Sequence, residues 1–311
     1  MTKKFLLLRN VPISNLRFLT SKRPQEPLAT FESSAADSVF ESLLSRCILG
    51  RSLFHVLAEG SSYDQLWPSL QSALHDQPSL GQSFRDASRS FCIRVTSLRA
   101  KRSKEYAVHR IEELARHVEI EGEVCLSQPD DCFHFVELHR PAEEEAALGM
   151  AGDRPARIAA DETLEYVAFG RLIGSGAQDL PHQFNLVERA YIGNTSMDPA
   201  LSFIQANLAC VDEAQLVLDP FVGTGSLLVA AGRMGAYCLG TEISYKAVHG
   251  LGRSSRVGVG KRGADENVRA NFAQYDLLHR YMDVVLADAS CHQLWHTQSS
   301  FQAIITDRKH H

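Results

Sequence analysis

The sequence has no paired-cysteine motif, no long apolar run and no excess of positive charge, and each absence removes a class of function. Its 311 residues include seven cysteines, an odd number scattered without a C-x-x-C pair, Cys125 and Cys132 being nearest in sequence. That pattern argues against a disulfide framework and against a zinc site, and it leaves most of the thiols as small buried apolar side chains. No apolar stretch approaches the roughly 18 residues of a membrane helix. Phe5–Leu8, after two lysines, is too short for a signal segment and Arg9 interrupts it. The expectation is a soluble cytoplasmic chain with no metal and no membrane partner. A formal net charge of −5 gives no general attraction to nucleic acid, so any such contact must come from local patches.

What is present is ample apolar material: 44% of the residues are hydrophobic, enough for a sizeable core, and the length suggests two domains. The most informative stretch is residues 214–243. An apolar run, Leu216–Leu218, ends at Asp219; glycines follow at Gly223 and Gly225; a helical apolar pattern runs from Leu227 to about Met234; and a second strand, Ala236–Gly240, ends at Glu242. Glycines here let a ligand approach the backbone, and the loop opens onto the partly positive start of a helix. Glu242 is placed to accept hydrogen bonds from a ribose diol, closer to the loop than in the dinucleotide fingerprint. The glycine pair taken alone is also compatible with a plain tight turn, and Asp219-Pro220-Phe221 sharpens the nucleotide reading.

Asp219-Pro-Phe-Val-Gly-Thr-Gly-Ser226 resembles the first motif of Rossmann-like S-adenosylmethionine-dependent methyltransferases. Gly193-Asn-Thr-Ser-Met-Asp198, Val248-His-Gly-Leu-Gly252, Glu266-Asn-Val-Arg-Ala-Asn271 and Ile304-Ile-Thr-Asp307 resemble one family within that class, the catalytic subunit of tRNA guanosine-10 N2-methyltransferase. The resemblance is close from about Leu164 to Asp307. It implies a cofactor, S-adenosylmethionine, held by Asp219, Phe221, Gly223, Thr224, Gly225, Glu242 and Asp288, with Asn194, Thr195 and Ser196 beside it. It implies attack of the guanine exocyclic nitrogen on the methyl group, and a small zinc-binding activator subunit as partner besides tRNA. Asp307 corresponds to the first residue of an Asp-Pro-Pro-Tyr motif that holds the amine in line with the methyl sulfonium. Here Asp307 is followed by Arg308-Lys-His-His311. Only four of the seven strands usual in the class can be found, so the expectation is a methyltransferase domain incomplete at its C-terminus, with the fourth strand as an apolar edge. His310 and His311 are assigned no role.

Towards the N-terminus the pattern predicts a helix over Ala36–Cys47, a strand over Ser52–Ala58 and a helix over Tyr63–Leu74 with Pro68 in its first turns. Phe91, Ile93 and Val95 alternate as one face of a strand. Val108, Ile111, Leu114, Ala115 and Val118 form a stripe that reads as core, and Phe133, Phe135 and Leu138 suit a further strand. This order is consistent with the THUMP-type RNA-binding domain that the resemblance implies. Arg94, Arg99, Lys101, Arg102 and Lys104 occur without an intervening acid, either a solvated face or a tRNA-contacting patch, and the resemblance favours the patch.

Pro141–Glu162, rich in Ala, Glu, Gly and Pro, reads as a linker. Asp198 suits an N-cap with Pro199 at the first helical position and Leu201, Ile204 and Leu208 on one face. Tyr245–Gly263 interleaves glycines with Arg253, Arg256, Lys261 and Arg262, either a mobile basic loop or an RNA contact, and Asp265 suits the cap of the next helix. A strand over Asp283–Leu286 leads to Asp288, and another over Phe301–Thr306 leads to Asp307.

The expected architecture is therefore α/β: an N-terminal α+β THUMP-like tRNA-binding region (1–140), a linker (141–163) and a partial Rossmann-like methyltransferase domain (164–311). The expected function is tRNA guanosine N2-methylation from S-adenosylmethionine. Two alternatives stand beside it: a non-catalytic tRNA-binding or regulatory protein, and an amino-methyltransferase acting on DNA or protein.

Overall fold

The computed structural model describes residues 9, 11–19, 28–77, 84–140, 163–263, 266–291 and 300–307, and the chain divides into two compact units. The N-terminal elements, an antiparallel pair of β1 (Ser14–Phe18) and β2 (Ala29–Glu32) followed by helix α1 (Asp37–Leu44), fold with the residues from Gly176 onward. The other unit comprises Ser52–Ser175 with Leu19–Leu28.

That unit is a four-stranded sheet with helices. In chain order it contains β3 (Ser52–Gly60), α2 (Tyr63–Asp76), β4 (Phe91–Leu98), α3 (Lys104–Leu114), β5 (Asp131–His139) and β6 (Leu164–Ser175). The sheet order is β3-β6-β5-β4; β6 runs antiparallel to both neighbours and β4 runs parallel to β5. Leu66 and Leu70 of α2 and Leu114 of α3 pack on Phe133, Phe135 and Phe169 in a dry aromatic core. Helix α2 continues through Pro68. The ring removes one ladder hydrogen bond, and burial of Leu66 and Leu70 on either side outweighs that loss. Val108 is exposed rather than in the core; the residues that α3 buries are Arg110 and Leu114.

Two boundaries differ from those drawn on sequence. Strand β6 hydrogen-bonds to β3 on one side and β5 on the other, so it completes the first sheet instead of opening the second domain at 164. Residues 29–51 join the other unit: Arg46 donates to Asn207 Oδ1, Asp212 Oδ1 and the Val211 carbonyl, and Asn207 donates back to the Arg46 carbonyl. Residues 141–162 of the linker, Phe5–Leu8, Asp265, His310 and His311 lie outside the described residues.

The second unit continues with the short α4 (Leu180–Gln183), α5 (Pro199–Leu208), β7 (Leu216–Asp219), α6 (Ser226–Arg233), β8 (Tyr237–Glu242), α7 (Tyr245–Val248), α8 (Val268–Gln274), β9 (Tyr281–Leu286) and β10 (Ala303–Ile304). Strands β10-β7-β8-β9 form a parallel sheet in that order. Strand–helix–strand alternation with parallel pairing is the Rossmann-like plan. Leu227, Leu228, Ala231 and Phe272 from the helices pack on Val217, Cys238 and Val284 of the sheet. Asp198 caps α5 through its Oδ1, which accepts the Leu201 N–H at 3.2 Å. The buried face of α5 is Pro199, Ser202, Phe203, Ala206 and Asn207, so of the predicted stripe Leu201 and Leu208 point outward while Ile204 packs partly on the core. Four parallel strands are present among the described residues, and β10 is an edge with Ile304 61% exposed.

Candidate functional site

Sheet order decides where a ligand can bind. Taken in chain order, the four strands run 4-1-2-3 across the sheet, so the order reverses between β7 and β10, which are neighbours. Parallel sheets bind ligands at the carboxyl ends of such a pair. Asp219 closes β7; the ladder beside it continues through the Ile305 N–H donating to the Leu218 carbonyl at 2.9 Å, which brings Asp307 to the same edge.

The glycine loop is built onto this edge. The Phe221 N–H donates to Asp219 Oδ1 at 2.9 Å, the Val222 N–H to the Thr241 carbonyl at 3.0 Å, and the Gly223 N–H to Glu242 Oε2 at 2.8 Å. The second oxygen of Glu242 accepts the Ser244 N–H at 2.8 Å. Glu242 thus clasps the loop and keeps one lone pair on each oxygen for a further donor. Gly225 has φ +81°, and a Cβ there would come within 2.7 Å of Val268 Cγ1. Where Gly223 would carry a Cβ there is open space. Gly240 on β8 permits the loop's close approach, since a Cβ would lie 2.1 Å from Val222 Cγ2.

Asp219 is 1% exposed. Burial pushes its carboxyl up to about 7; the charges of Glu242 and Asp307 push the same way, against the hydrogen bonds from Phe221 and Thr306. A carboxyl held near neutrality at the mouth of a sheet is the kind of perturbation found at functional sites.

Asn194 and Thr195 are exposed on the loop before α5. Ser196 reaches the glycine loop directly: its Oγ lies 2.7 Å from Thr224 Oγ1 and accepts the Gly193 N–H at 2.9 Å. Asp288 sits beyond β9, where its Oδ1 accepts the Ser290 N–H at 2.9 Å, and that bond lowers its pKa. The structure therefore gathers Asp219, Gly223, Thr224, Gly225, Glu242 and Ser196 into one hydrogen-bonded group with Asp307 at its edge. Phe221 is exposed beside it.

Sequence reasoning missed Asn271, Arg189 and the inward role of the basic loop. Arg256 donates to the carbonyls of Val187 and Arg189, and Arg262 to that of Ile192 while lying over the Tyr191 ring. Arg189, fully buried, donates to Ser226 Oγ at 2.9 Å. The glycine-rich loop is thus strapped down by Arg256 and Arg262, leaving Arg253 and Lys261 exposed. The cap of α8 is Asn267, whose Oδ1 accepts the Ala270 N–H at 2.8 Å.

The predicted basic face, in the other unit, is partly committed to its own fold. Arg94 donates to the Leu126 carbonyl, Arg99 lies 3.9 Å from Glu165, and Arg102 donates to Thr163 Oγ1 and sits 2.9 Å from His139 Nδ1. Lys101 and Lys104 remain exposed at the start of α3. Behind them Glu137, 0% exposed, accepts Tyr63 OH (2.5 Å) and Tyr106 OH (2.7 Å) on one oxygen, and Ser97 OH (2.6 Å) on the other, which also lies 3.1 Å from His139 Nε2. The run of like charges in the sequence could not show which cations turn inward, because that depends on strand pairing.

Residues 16–177, just over half the chain, match the family model of the Tmrp11 THUMP N-terminal domain. The chain belongs to this family. Family members described as tRNA (guanine(10)-N(2))-methyltransferase TRMT11 align beyond that domain: the rat protein (Rattus norvegicus) is 38% identical over 272 residues, covering 88% of this chain and 55% of its own length. The mouse protein (Mus musculus) is 36% identical over 272 residues, with the same coverage of 88% and 55%. The chain thus spans about half the length of the curated relatives it matches. Among solved structures, TrmN from Thermus thermophilus aligns over 92% of this chain and 70% of its own, at 14% identity and a TM-score of 0.38. Among the described residues no group of three or more His, Cys, Asp or Glu side chains could hold a metal ion, and no helix is long and apolar enough to cross a membrane.

Proposed function

We propose that this chain supplies the tRNA-binding and S-adenosylmethionine-binding parts of a tRNA (guanine(10)-N(2))-methyltransferase. The observation that carries the reading is the glycine loop clasped by Glu242 at the carboxyl edge of β7 and β10, on a chain of the THUMP family. The residues fit the cofactor. The space above Gly223 accepts a ligand against the backbone, and the unused lone pairs of Glu242 accept ribose hydroxyls. Asp288 lies at the end of β9, where it can accept from the adenine amino group.

Held by Glu242 and the glycine loop, S-adenosylmethionine would supply an electrophilic methyl group. The guanine exocyclic nitrogen would take that methyl as the sulfur–carbon bond broke, leaving S-adenosylhomocysteine, with the nitrogen's proton passing to solvent. Asp307, beside Asp219, would hold the amine in line, and such orientation contributes several kcal/mol to a displacement. Lys101, Lys104 and Arg94 present positive charge to the phosphate backbone, each contact adding salt-dependent affinity. A small zinc-binding activator subunit as partner and a cytoplasmic location belong to the same proposal.

Calorimetric titration with S-adenosylmethionine, followed by mass spectrometry of tRNA for N2-methylguanosine at position 10, tests the reading. Methyl transfer to DNA or protein in place of tRNA would replace the substrate. Binding of tRNA with no cofactor affinity would replace the enzyme with a binding protein.

A further inference from the structure

Thr224 lies between Gly223 and Gly225, both at positive φ. It is held from outside on two sides. Its hydroxyl meets Ser196 Oγ at 2.7 Å, and its carbonyl accepts from the side-chain amide of Asn271 at 3.0 Å. The same amide donates to the Tyr191 carbonyl at 2.9 Å, and its oxygen accepts the Tyr191 N–H at 2.7 Å. Asn271 is 0% exposed, and each of its polar atoms is used.

One buried amide thus ties two segments, 189–196 and the glycine loop, that are more than 25 residues apart in sequence. Packing alone would be served as well by a leucine, which brings no buried polar group to satisfy. Two donors and one acceptor in a planar fork instead define a single relative position of the two backbones. Neighbouring residues of α8 reinforce it: Val268 packs against Gly225, while Gln274 accepts the Ala190 N–H at 2.7 Å and donates to the Glu188 carbonyl at 2.8 Å.

We propose that Asn271 is a positioning residue for the cofactor: it does not touch the ligand but sets the place of Thr224 and, through Tyr191, of the Asn194–Ser196 turn against which the ligand lies. The proposal rests on the S-adenosylmethionine reading of the loop.

The test compares Asn271→Asp, Ser196→Ala and the double variant in the full chain by calorimetric titration with S-adenosylmethionine and with S-adenosylhomocysteine, alongside tRNA affinity and the thermal midpoint. In Asn271→Asp the carboxylate still accepts from Tyr191 N–H but turns lone pairs towards the two carbonyls. The expected result is a fall of tenfold or more in affinity for both cofactor forms with tRNA affinity within twofold of wild type. The double variant should lose no more than the worse single, since both act through Thr224. Cofactor affinity within twofold of wild type, or losses that multiply in the double variant, would overturn the role. If Asn271→Asp does not fold, Asn271→Ser decides: at least threefold weaker cofactor binding with tRNA affinity within twofold of wild type supports the role, and unchanged cofactor affinity overturns it. A wild-type chain that binds neither cofactor form overturns the cofactor reading and this role with it, an outcome distinct from wild-type binding that the variant retains.

Discussion

The two units each bury a carboxylate, and they treat it in opposite ways. Glu137, at the centre of the first sheet, has two tyrosines, a serine and a histidine around it. Burial raises its pKa, but these four hydrogen bonds overcome that and bring it down to about 2. Asp219, at the edge of the second sheet, receives few bonds and faces two more carboxylates, so burial prevails and its pKa rises to about 7. A saturated charge fixes a fold, whereas an under-satisfied one at a sheet mouth retains capacity for a ligand. The same contrast holds for the cations: Arg102 and Arg99 are absorbed by the first unit's own polar groups, while Lys101 and Lys104 stay free for a partner.

The sharpest way to break this contrast is Glu137→Ala, which strands Tyr63, Tyr106, Ser97 and His139 in the core. A loss of about 3–5 kcal/mol is expected in denaturant unfolding; a loss under 1 kcal/mol would show that the network is not saturated. Gly225→Val should rank next, combining a strained positive φ with a clash against Val268. Loss of about 2–3 kcal/mol together with undetectable S-adenosylmethionine binding is expected, and wild-type affinity would refute the assignment of the loop.

The opposite pKa shifts give opposite pH slopes. Asp219 binds its proton more tightly folded than unfolded. Its contribution to stability is therefore full below the ordinary carboxylate range and is lost as pH rises towards about 7. Glu137 contributes above that range and loses its contribution as pH falls towards about 2. Thermal midpoints of Asp219→Asn between pH 4 and 8 should lack the wild-type decline from that group; an unchanged slope would place its pKa elsewhere. A smaller effect is expected from Lys101→Glu with Lys104→Glu: tRNA affinity about tenfold lower, the salt slope shallower by about 2, and an unchanged midpoint. The smallest is Val108→Ala, within about 0.5 kcal/mol of wild type because the side chain is exposed.

Much of this was legible in order and type of element. The strand, glycine loop, helix and strand of residues 216–242, the Asp198-Pro199 start of α5 and the helix through Pro68 follow from local rules. Where a stripe was read from apolar residues alone it held only in part: Leu114 and Val118 are core and Ile204 packs on it, but Val108 and Leu201 point outward, because which face of a short helix is buried depends on what it packs against. The boundary at 164 failed for a related reason. An apolar strand pattern names no partner, and β6 paired with strands lying before it in the chain.

By itself the sequence determined the local chemistry of this protein: a turn that only glycine tolerates at Gly225, a carboxylate at the end of each flanking strand, and basic residues gathered in one short segment. The tertiary structure decided which of those groups remain available. It turned Arg102, Arg256 and Arg262 inward, saturated Glu137, left Asp219 poised and brought Asn271 under Thr224. The physical reason is that hydrogen bonds and desolvation depend on neighbours in space, and residues 191, 224 and 271 become neighbours only when the sheet has formed and α8 has docked on it.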